Sequence, residues 1–126
     1  FSRKLIEWEP IADGFRNVWG AFRGDTAVGF AVYRPELSPG TAQLSLLHVG
    51  NGFRSMGIGT RLLELVKVRA VQDGKRILYV SSAPGENTVR FYMARGFKLT
   101  SEPDPDLFRM EPHDIHMTME LHGSVS

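Results

Sequence analysis

The sequence contains no cysteine, no long apolar run and no excess of charge of one sign, and each absence excludes a class of protein. Without cysteine the chain has no disulfide framework, no cysteine-based zinc site and no thiol nucleophile, although the redox compartment stays open. No apolar segment approaches the roughly 18 residues of a membrane-spanning helix, and residues 1–4 (FSRK) lack a signal-peptide core. We therefore expect a cytoplasmic protein that binds no membrane.

The charges of the chain nearly cancel, with 15 Lys and Arg against 14 Asp and Glu. This balance gives no reason to expect nucleic acid as a partner. A length of 126 residues with 42% hydrophobic residues suits one domain with a single core, so we treat residues 1–126 as one domain. His113, His116 and His122 lack a convincing set of partner ligands, and we assign no metal.

Hydrophobic patterns and turn residues predict the order of the elements. The predicted strands cover residues 4–8, 15–23, 26–33, 43–49, 77–81, 97–101 and 115–121. Turn residues predict a hairpin turn at 24–25 and a loop from Pro35 through residues 38–40. Two helices are predicted, one after Gly57 with Leu62, Leu63, Val66 and Ala70 on one face and one over residues 84–94. Gly74 and Gly96 are their predicted stops, and residues 102–114, rich in proline and acid, are predicted as loop.

The order of these elements predicts the fold class. Residues 43–49, the first helix and residues 77–81 form a strand–helix–strand unit, which makes the two strands locally parallel. The hairpin between residues 15 and 33 adds an antiparallel pair. The sequence therefore predicts an α+β domain in which two helices pack on a mostly antiparallel sheet.

A glycine-containing segment, residues 54–60 (RSMGIGT), connects a predicted strand to a helix. The first amides of a helix have no internal partner and carry partial positive charge, so such a segment suits an anion. Gly57 and Gly59 would let a phosphate approach the backbone. A Walker loop would need lysine after Gly59, where Thr60 stands, and a dinucleotide fingerprint would need glycine in place of Leu62. Alone, the segment indicates an anion site or merely a turn.

A second segment makes the pattern specific. Residues 87–97 (NTVRFYMARGF) carry Phe-Tyr, three residues and Gly-Phe, about 30 residues further along the chain. Together the two segments resemble the signature of the GNAT superfamily of acetyl-CoA-dependent N-acetyltransferases. The resemblance covers roughly residues 43–121 and implies a splayed pair of parallel strands at the centre of the sheet. We expect the N-terminal helices of the family to be reduced or absent, because the stretch between the possible first strand and Phe15 is too short for both of them.

The resemblance implies direct transfer of an acetyl group from acetyl-CoA to a primary amine. It places the pantetheine arm along the backbone of Leu47 and Val49. It places the pyrophosphate on the backbone amides of Arg54, Ser55, Met56, Gly57, Ile58, Gly59 and Thr60. Tyr92 stands where a family tyrosine protonates the leaving thiolate, although its spacing alone equally fits a core aromatic. Asn87 either reaches the cofactor or caps its helix.

The general base and the acceptor are not assigned. The residue that matches a family glutamate is Gln43, which cannot take a proton. His48 is a candidate that strand alternation places on the opposite face from Gln43, and Glu36 is another. A base acting through water, or binding of a neutral amine, is also open. Residues 102–111, with four carboxylates, suit a cationic amine or form a solvated loop.

Three functions therefore remain open at this point. The first is an acetyltransferase for a small-molecule or peptide amine. The second is a catalytically silent CoA-binding sensor, which Gln43 favours, and the third is an acyltransferase for longer acyl chains or a hydroxyl acceptor. The acceptor cleft is open, or a partner subunit or residues upstream of Phe1 complete it. The aromatic hairpin, with Trp19, Phe22, Phe30 and Tyr33, would then be a homodimer surface, a cleft lining or simply core.

Overall fold

In a computed structural model of the chain, residues 6–10, 18–50, 52–53 and 57–122 are described, the first of these ranges by its backbone alone. Within these ranges one sheet has the strand order β1-β2-β3-β4-β5-β7-β6. The strands are β1 (Ile6–Pro10), β2 (Val18–Arg23), β3 (Thr26–Ser38), β4 (Thr41–Val49), β5 (Ile77–Ser82), β6 (Lys98–Leu99) and β7 (Ile115–Glu120). The helices are α1 (Ile58–Gln72), α2 (Glu86–Ala94) and α3 (Pro105–Met110).

The sheet confirms the predicted fold class. Neighbouring strands are antiparallel except β4 and β5, which are parallel and joined through α1. In the described ranges no helix precedes β2, in line with the reduced N-terminal helices that the sequence predicts. None of the helices in these ranges is long and apolar enough to cross a membrane.

Tight turns connect β2 to β3 and β3 to β4. The first contains Gly24, whose φ of 62° suits the predicted hairpin turn. The second consists of Pro39 and Gly40, with Gly40 at a φ of 78°. The predicted loop from Pro35 is wrong, because β3 continues to Ser38. Pro35 lies in an irregular part of the ladder, where a residue without an N–H group is tolerated.

α1 packs its predicted apolar face on the sheet. Leu62, Leu63, Val66 and Ala70 are each at most 1% exposed. The helix lies very close to β3, since a Cβ atom at Gly29 would be only 3.0 Å from Cγ2 of Ile58. It ends where predicted, and Gly74 takes the left-handed conformation with a φ of 76°.

Strand alternation gives the sheet two distinct faces. Gly29 and Tyr33 of β3 lie on the α1 face, and Leu44 faces Tyr33 across the β3–β4 ladder. Tyr79 of β5 is in register with Gln43, the neighbour of Leu44, and therefore lies on the opposite face. Both faces of β4 and β5 are buried there, since Gln43 is 6% and Tyr79 is 4% exposed.

α3 covers the part of this opposite face that β5 and β7 form. Oδ1 of Asp104 accepts the amide N–H groups of Asp106 and Leu107 at 3.1 Å, and Pro105 is the first helical residue. The predicted loop over residues 102–114 is therefore wrong over α3. The strand predicted at residues 97–101 is reduced to the two residues of β6.

A buried polar pair fastens the start of α3 to the sheet. The hydroxyl of Tyr79 accepts the N–H of Asp104 at 2.8 Å and shares a hydrogen bond with Nδ1 of His116 at 2.7 Å. The ring of Phe108 in α3 lies 5.7 Å from the ring of His116, centroid to centroid. Asp104 thus serves the fold, both as the helix cap and through its backbone.

The chain's three tyrosines provide a test of this packing. Burial raises the pKa of Tyr79, raises that of Tyr92 to about 12, and acts with the hydrogen bond to Asp73 to raise that of Tyr33. At pH 10, where free tyrosine, of pKa 10.0, is half ionised, we expect clearly less tyrosinate absorbance from the folded chain than from the unfolded one. The same titration in denaturant should show half ionisation there.

The raised pKa values of the tyrosines also make the stability of the fold depend on pH. A raised pKa favours the protonated, folded form, so this stabilisation is complete below about pH 10 and is lost as the pH rises through the folded values. Half ionisation of the folded chain at pH 10 would contradict the burial of these rings.

Candidate functional site

The parallel ladder between β4 and β5 ends halfway along β4. Residues 41–44 pair with residues 77–80, whereas residues 45–49 have no partner in β5. The two strands therefore separate towards their carboxyl ends, as the splayed pair of the predicted fold requires. Beyond residue 44, the backbone groups on the β5 side of β4 have no partner strand in the described sheet.

A β-bulge in β4 lies at the point of separation. Tyr33 of β3 faces Leu44, and the preceding residue, Val32, faces Leu46. Ser45 is therefore the extra residue in β4. Because a bulge bends its strand and strengthens the local twist, it accounts for the divergence of β4 from β5.

The bulge also changes which face of the sheet the following residues occupy. Leu47 and Val49 pack on the core beside α1, while His48 faces Phe30 with ring centroids 5.4 Å apart. Gln43 and His48 consequently share the face opposite α1. The expectation that they lie on opposite faces is wrong, because period-two alternation holds only along an uninterrupted strand.

The start of α1 faces the gap and carries no compensating charge. Gly57 caps the helix with a φ of 77° and without a side-chain hydrogen bond, and the first turn has no acidic residue. The amide of Arg61 is bonded to the carbonyl of Gly57 at 3.0 Å. The amides of Ile58, Gly59 and Thr60 precede it and have no partner within the helix, so this end can bind an anion.

A groove of about 660 Å³ joins the end of β4, the start of α1 and α2. Its lining consists of Leu47, His48, Val49, Gly57, Gly59, Thr60, Asn87, Thr88, Phe91, Tyr92 and Arg95. The groove thus brings together residues from three separate segments of the chain. Most of the residues that the sequence singles out lie here, from both of the matching segments.

Some predicted site residues lie elsewhere or take a different role. Arg54, Ser55 and Met56 lie outside the described residues. The side chain of Ile58 is 1% exposed and belongs to the core, so only its backbone is available to the groove. Asn87 lines the groove and does not cap α2, since the capping residue is Gly85.

Gly59 lies in the groove wall between Val49 and Phe91. A Cβ atom there would lie 3.4 Å from Cζ of Phe91 and 3.5 Å from Cγ2 of Val49. These are ordinary contact distances, so a methyl group fits, but a larger side chain would crowd the groove-lining residues Phe91 and Val49. A glycine here keeps the amides at the start of α1 open to a bulky anion such as a phosphate.

Tyr92 projects from α2 into the core beside the groove. It is 5% exposed, and its ring makes edge-to-face contacts with Phe91 and Phe97, both at 5.3 Å between centroids. Within the described part of the chain, the hydroxyl of Tyr92 has no hydrogen-bond partner. Every fully buried side-chain polar atom in that part does have a partner. The hydroxyl is therefore not fully buried, and Tyr92 is one of the residues that line the groove. Burial raises the pKa of Tyr92 to about 12, which keeps the hydroxyl protonated at neutral pH.

The candidate bases differ in their distance from the groove. Glu36 is ion-paired with Lys75 and lies near the β3–β4 turn, at the other end of β4 from the groove. The amide of Gln43 is buried, and its Oε1 accepts a long hydrogen bond of 3.5 Å from Arg34. His48, by contrast, lines the groove.

The acidic segment, residues 102–111, offers fewer free carboxylates than its sequence suggests. Asp104 caps α3, and Asp106 is ion-paired with Arg109. Just beyond it, Asp114 accepts a hydrogen bond from the hydroxyl of Ser81 at 2.8 Å, at the carboxyl end of β5. Two of the four carboxylates therefore stabilise the segment itself, so fewer of them are available to attract a cationic acceptor.

Three residues of the lining are not among the site residues that the sequence predicts. Thr88, Phe91 and Arg95 lie within the second matching segment but were assigned no role. Phe91 and Arg95 lie one helical turn apart on α2, so the helical spacing from Tyr92 and Asn87 was a usable signal. The contact of Arg95 with α1 has no such signal, because it joins residues that are 35 positions apart.

Comparison with known proteins agrees with this geometry. The sequence pattern of the acetyltransferase (GNAT) family matches residues 2–97. Among solved structures, the chain is similar to a GNAT family acetyltransferase from Elizabethkingia anophelis with acetyl-CoA bound, with a TM-score of 0.68 and 21% identity over 82% of this chain and 75% of that one. No curated protein matches the chain.

Two further structures show how widely the fold recurs. Ard1 from Thermoplasma volcanium has a TM-score of 0.72 and 20% identity, covering 85% of this chain and 72% of that one. N-acetylglutamate synthase from Neisseria gonorrhoeae, complexed with coenzyme A and N-acetyl-glutamate, has a TM-score of 0.74 and 19% identity over 85% of this chain and 26% of that one. At these identities the similarity establishes a shared fold.

Proposed function

This chain belongs to the acetyltransferase (GNAT) family, and we propose that it transfers the acetyl group of acetyl-CoA directly to a primary amine. The observation that carries the proposal is the groove, in which an unpaired strand edge, the open amides of α1 and the hydroxyl of Tyr92 meet. Each of these matches one part of the donor: the pantetheine arm, the pyrophosphate and the sulfur.

The proposed donor site follows the groove from end to end. The pantetheine arm adds to the free edge of β4 along Leu47 and Val49, as a peptide adds to the edge of a sheet. The pyrophosphate binds the amides at the start of α1, and residues 54–56 extend that set of amides along the loop. Asn87 contacts the arm from α2, which is consistent with its position in the lining.

The proposed reaction needs one proton removed and one supplied. The neutral amine nitrogen attacks the thioester carbonyl and forms a tetrahedral intermediate, which then collapses with cleavage of the carbon–sulfur bond. Tyr92 donates its proton to the departing thiolate and recovers a proton from solvent. His48 accepts the proton of the amine, directly or through water, since the groove is open to solvent and Gln43 cannot do so.

In this proposal, the acceptor amine binds on the face of the sheet opposite α1. The gap between β4 and β5 opens there beside Leu46 and His48, and Leu46 is 49% exposed. A small-molecule amine fits this position, as does the amino terminus of a peptide. The related N-acetylglutamate synthase structure holds N-acetyl-glutamate, an acetylated amino acid, which supports the small-molecule class.

A thiol-release assay tests the proposed function. We expect CoA to be released from acetyl-CoA in the presence of at least one amine from a panel of amino acids, polyamines and peptides. We also expect His48→Gln to lower turnover, because glutamine cannot accept the proton of the amine. Release that does not depend on any amine would contradict acetyl transfer to an amine.

A second candidate function is a CoA-binding sensor without turnover. The observation that favours it is the neutral amide of Gln43 at the strand position of a family glutamate, together with the remote position of Glu36. A sensor would bind acetyl-CoA but release no thiol with any amine in the panel. The assay above therefore separates the two functions.

A further inference from the structure

Arg95 lies at the end of α2 and reaches back to the start of α1. Its Nε and Nη2 atoms donate to Oγ1 of Thr60 at 3.1 and 2.8 Å, and Nη1 donates to the carbonyl of Phe91 at 3.0 Å. Its guanidinium carbon lies 3.9 Å from the ring centroid of Phe91. These contacts hold the guanidinium group rigidly in the wall of the groove.

The charge of Arg95 is not compensated by a carboxylate. The ion pairs among the described residues do not include Arg95, and the first turn of α1 is free of acidic residues. A guanidinium group has about five N–H donors, and the contacts with Thr60 and Phe91 use three of them. Two donors and a full positive charge therefore remain available to a ligand.

Arg95 also borders a second hollow on the far side of the groove wall. This hollow has a volume of about 430 Å³, and its lining includes Lys67, Lys98, Glu120 and His122. Lys67 is ion-paired with Glu64 at 3.4 Å, whereas Lys98 has no ion pair within the described residues. Arg95 thus lies between the start of α1 and a second hollow whose lining includes both Lys98 and Glu120.

We propose that Arg95 binds the 3′-phosphate of CoA and so selects CoA over its dephosphorylated form. The inference rests on the proposed function, because it needs the pyrophosphate on the amides of α1. CoA carries one further phosphate, on the ribose, and that group must lie beyond the pyrophosphate as seen from the thioester. Arg95 occupies the corresponding side of the groove, between those amides and the second hollow. A guanidinium group with two free donors suits a phosphate monoester, which presents several acceptor oxygens.

Dephospho-CoA isolates this contact, because it keeps the pyrophosphate and lacks the 3′-phosphate. Calorimetry with both nucleotides should show that the native chain prefers CoA by on the order of tenfold to a hundredfold, as expected for hydrogen bonds to a charged group. Arg95→Gln should bring this ratio close to one. Arg95→Lys should keep part of the preference for CoA, because an ammonium group supplies positive charge but lacks the planar set of N–H donors of a guanidinium group.

Arg90→Gln is the matched control, because Arg90 is also on α2 but is 70% exposed and ion-paired with Glu86. It should leave the preference for CoA unchanged. The ratio of the two affinities is measured within one variant, so a general loosening of the groove cancels. If Arg95→Gln does not fold without its bonds to Thr60, Arg95→Lys and the salt dependence of the two native affinities decide, since the preference for CoA must weaken as salt rises.

Several outcomes would overturn the inference. Equal affinities of the native chain for the two nucleotides would show that no residue recognises the 3′-phosphate. An unchanged preference in Arg95→Gln would mean that another residue recognises the 3′-phosphate. An equal loss of affinity for both nucleotides would mean that Arg95 binds the pyrophosphate. All three outcomes leave the proposed function intact. Absence of binding to either nucleotide would instead refute the proposed function.

Discussion

Replacing Tyr92 with Phe is expected to lower turnover about a hundredfold while leaving the affinity for acetyl-CoA nearly unchanged. Tyr92 lines the groove, and burial raises the pKa of its hydroxyl to about 12, so the group has a proton to donate across the whole neutral range. General acid catalysis contributes about 10²–10⁴-fold. The low end applies here because a thiol of pKa near 8.5 is already a fair leaving group when ionised. Steady-state kinetics and calorimetry on the same preparation measure the two quantities.

Tyr33→Phe provides the matched control for this substitution. Tyr33 is equally buried, but its hydroxyl donates to Asp73 at 2.7 Å, at the end of α1 that lies away from the groove. Its loss should lower the free energy of unfolding by about 1 kcal/mol and leave turnover unchanged. Equal turnover in Tyr92→Phe and the native chain would remove Tyr92 from the mechanism, and its role would then be that of a core aromatic.

Replacing Gly59 with Val is expected to weaken acetyl-CoA binding on the order of tenfold to a hundredfold without unfolding the chain. The Cβ atom itself fits, at 3.4 Å from Phe91 and 3.5 Å from Val49, but the two added methyl groups crowd these two groove-lining residues beside the open amides. Overpacking of this kind costs about 1–3 kcal/mol, which corresponds to that loss of affinity. Calorimetric affinity and the midpoint of thermal unfolding check the two parts of the prediction.

Glu64→Val places the same side chain on α1, at a position that is half exposed and outside the groove. It should leave the affinity for acetyl-CoA unchanged and so measures any cost of valine to the helix itself. An affinity in Gly59→Val that equals the native value would mean that the donor does not pass the start of α1. A collapse of thermal stability in Gly59→Val alone would mean that the substitution acts on packing.

The elements that depend on local patterns were predictable from the sequence. The apolar residues of α1 recur at helical spacing and form a stripe along one side of the helix. Such a stripe packs on the core, so Leu62 and Val66 are buried as expected. The turn at Gly24 and the end of α1 at Gly74 follow from conformations that glycine favours. α3 was missed although Asp104 followed by Pro105 is a helix-start signal, because a short helix has too few apolar positions to show periodicity.

The features that depend on pairing between distant segments were not predictable. The bulge at Ser45 exists only through the register of β3 with β4, and nothing in the local sequence of β4 announces it. The predicted face of His48 is therefore wrong, although the residue does line the groove. The matching segments indicated the start of α1 and Tyr92, whereas the link from Arg95 to Thr60 needs the packed helices.

Titration calorimetry of the native chain with acetyl-CoA tests the central claim, that the groove is an acyl-donor site, most directly. We predict binding at a single site, competition by CoA, and thermal stabilisation that grows with ligand concentration, worth about 2.7 kcal/mol when the free ligand is at a hundred times its dissociation constant. Neither heat nor stabilisation with acetyl-CoA or CoA would contradict the claim, and with it the roles proposed for Tyr92, Gly59 and Arg95.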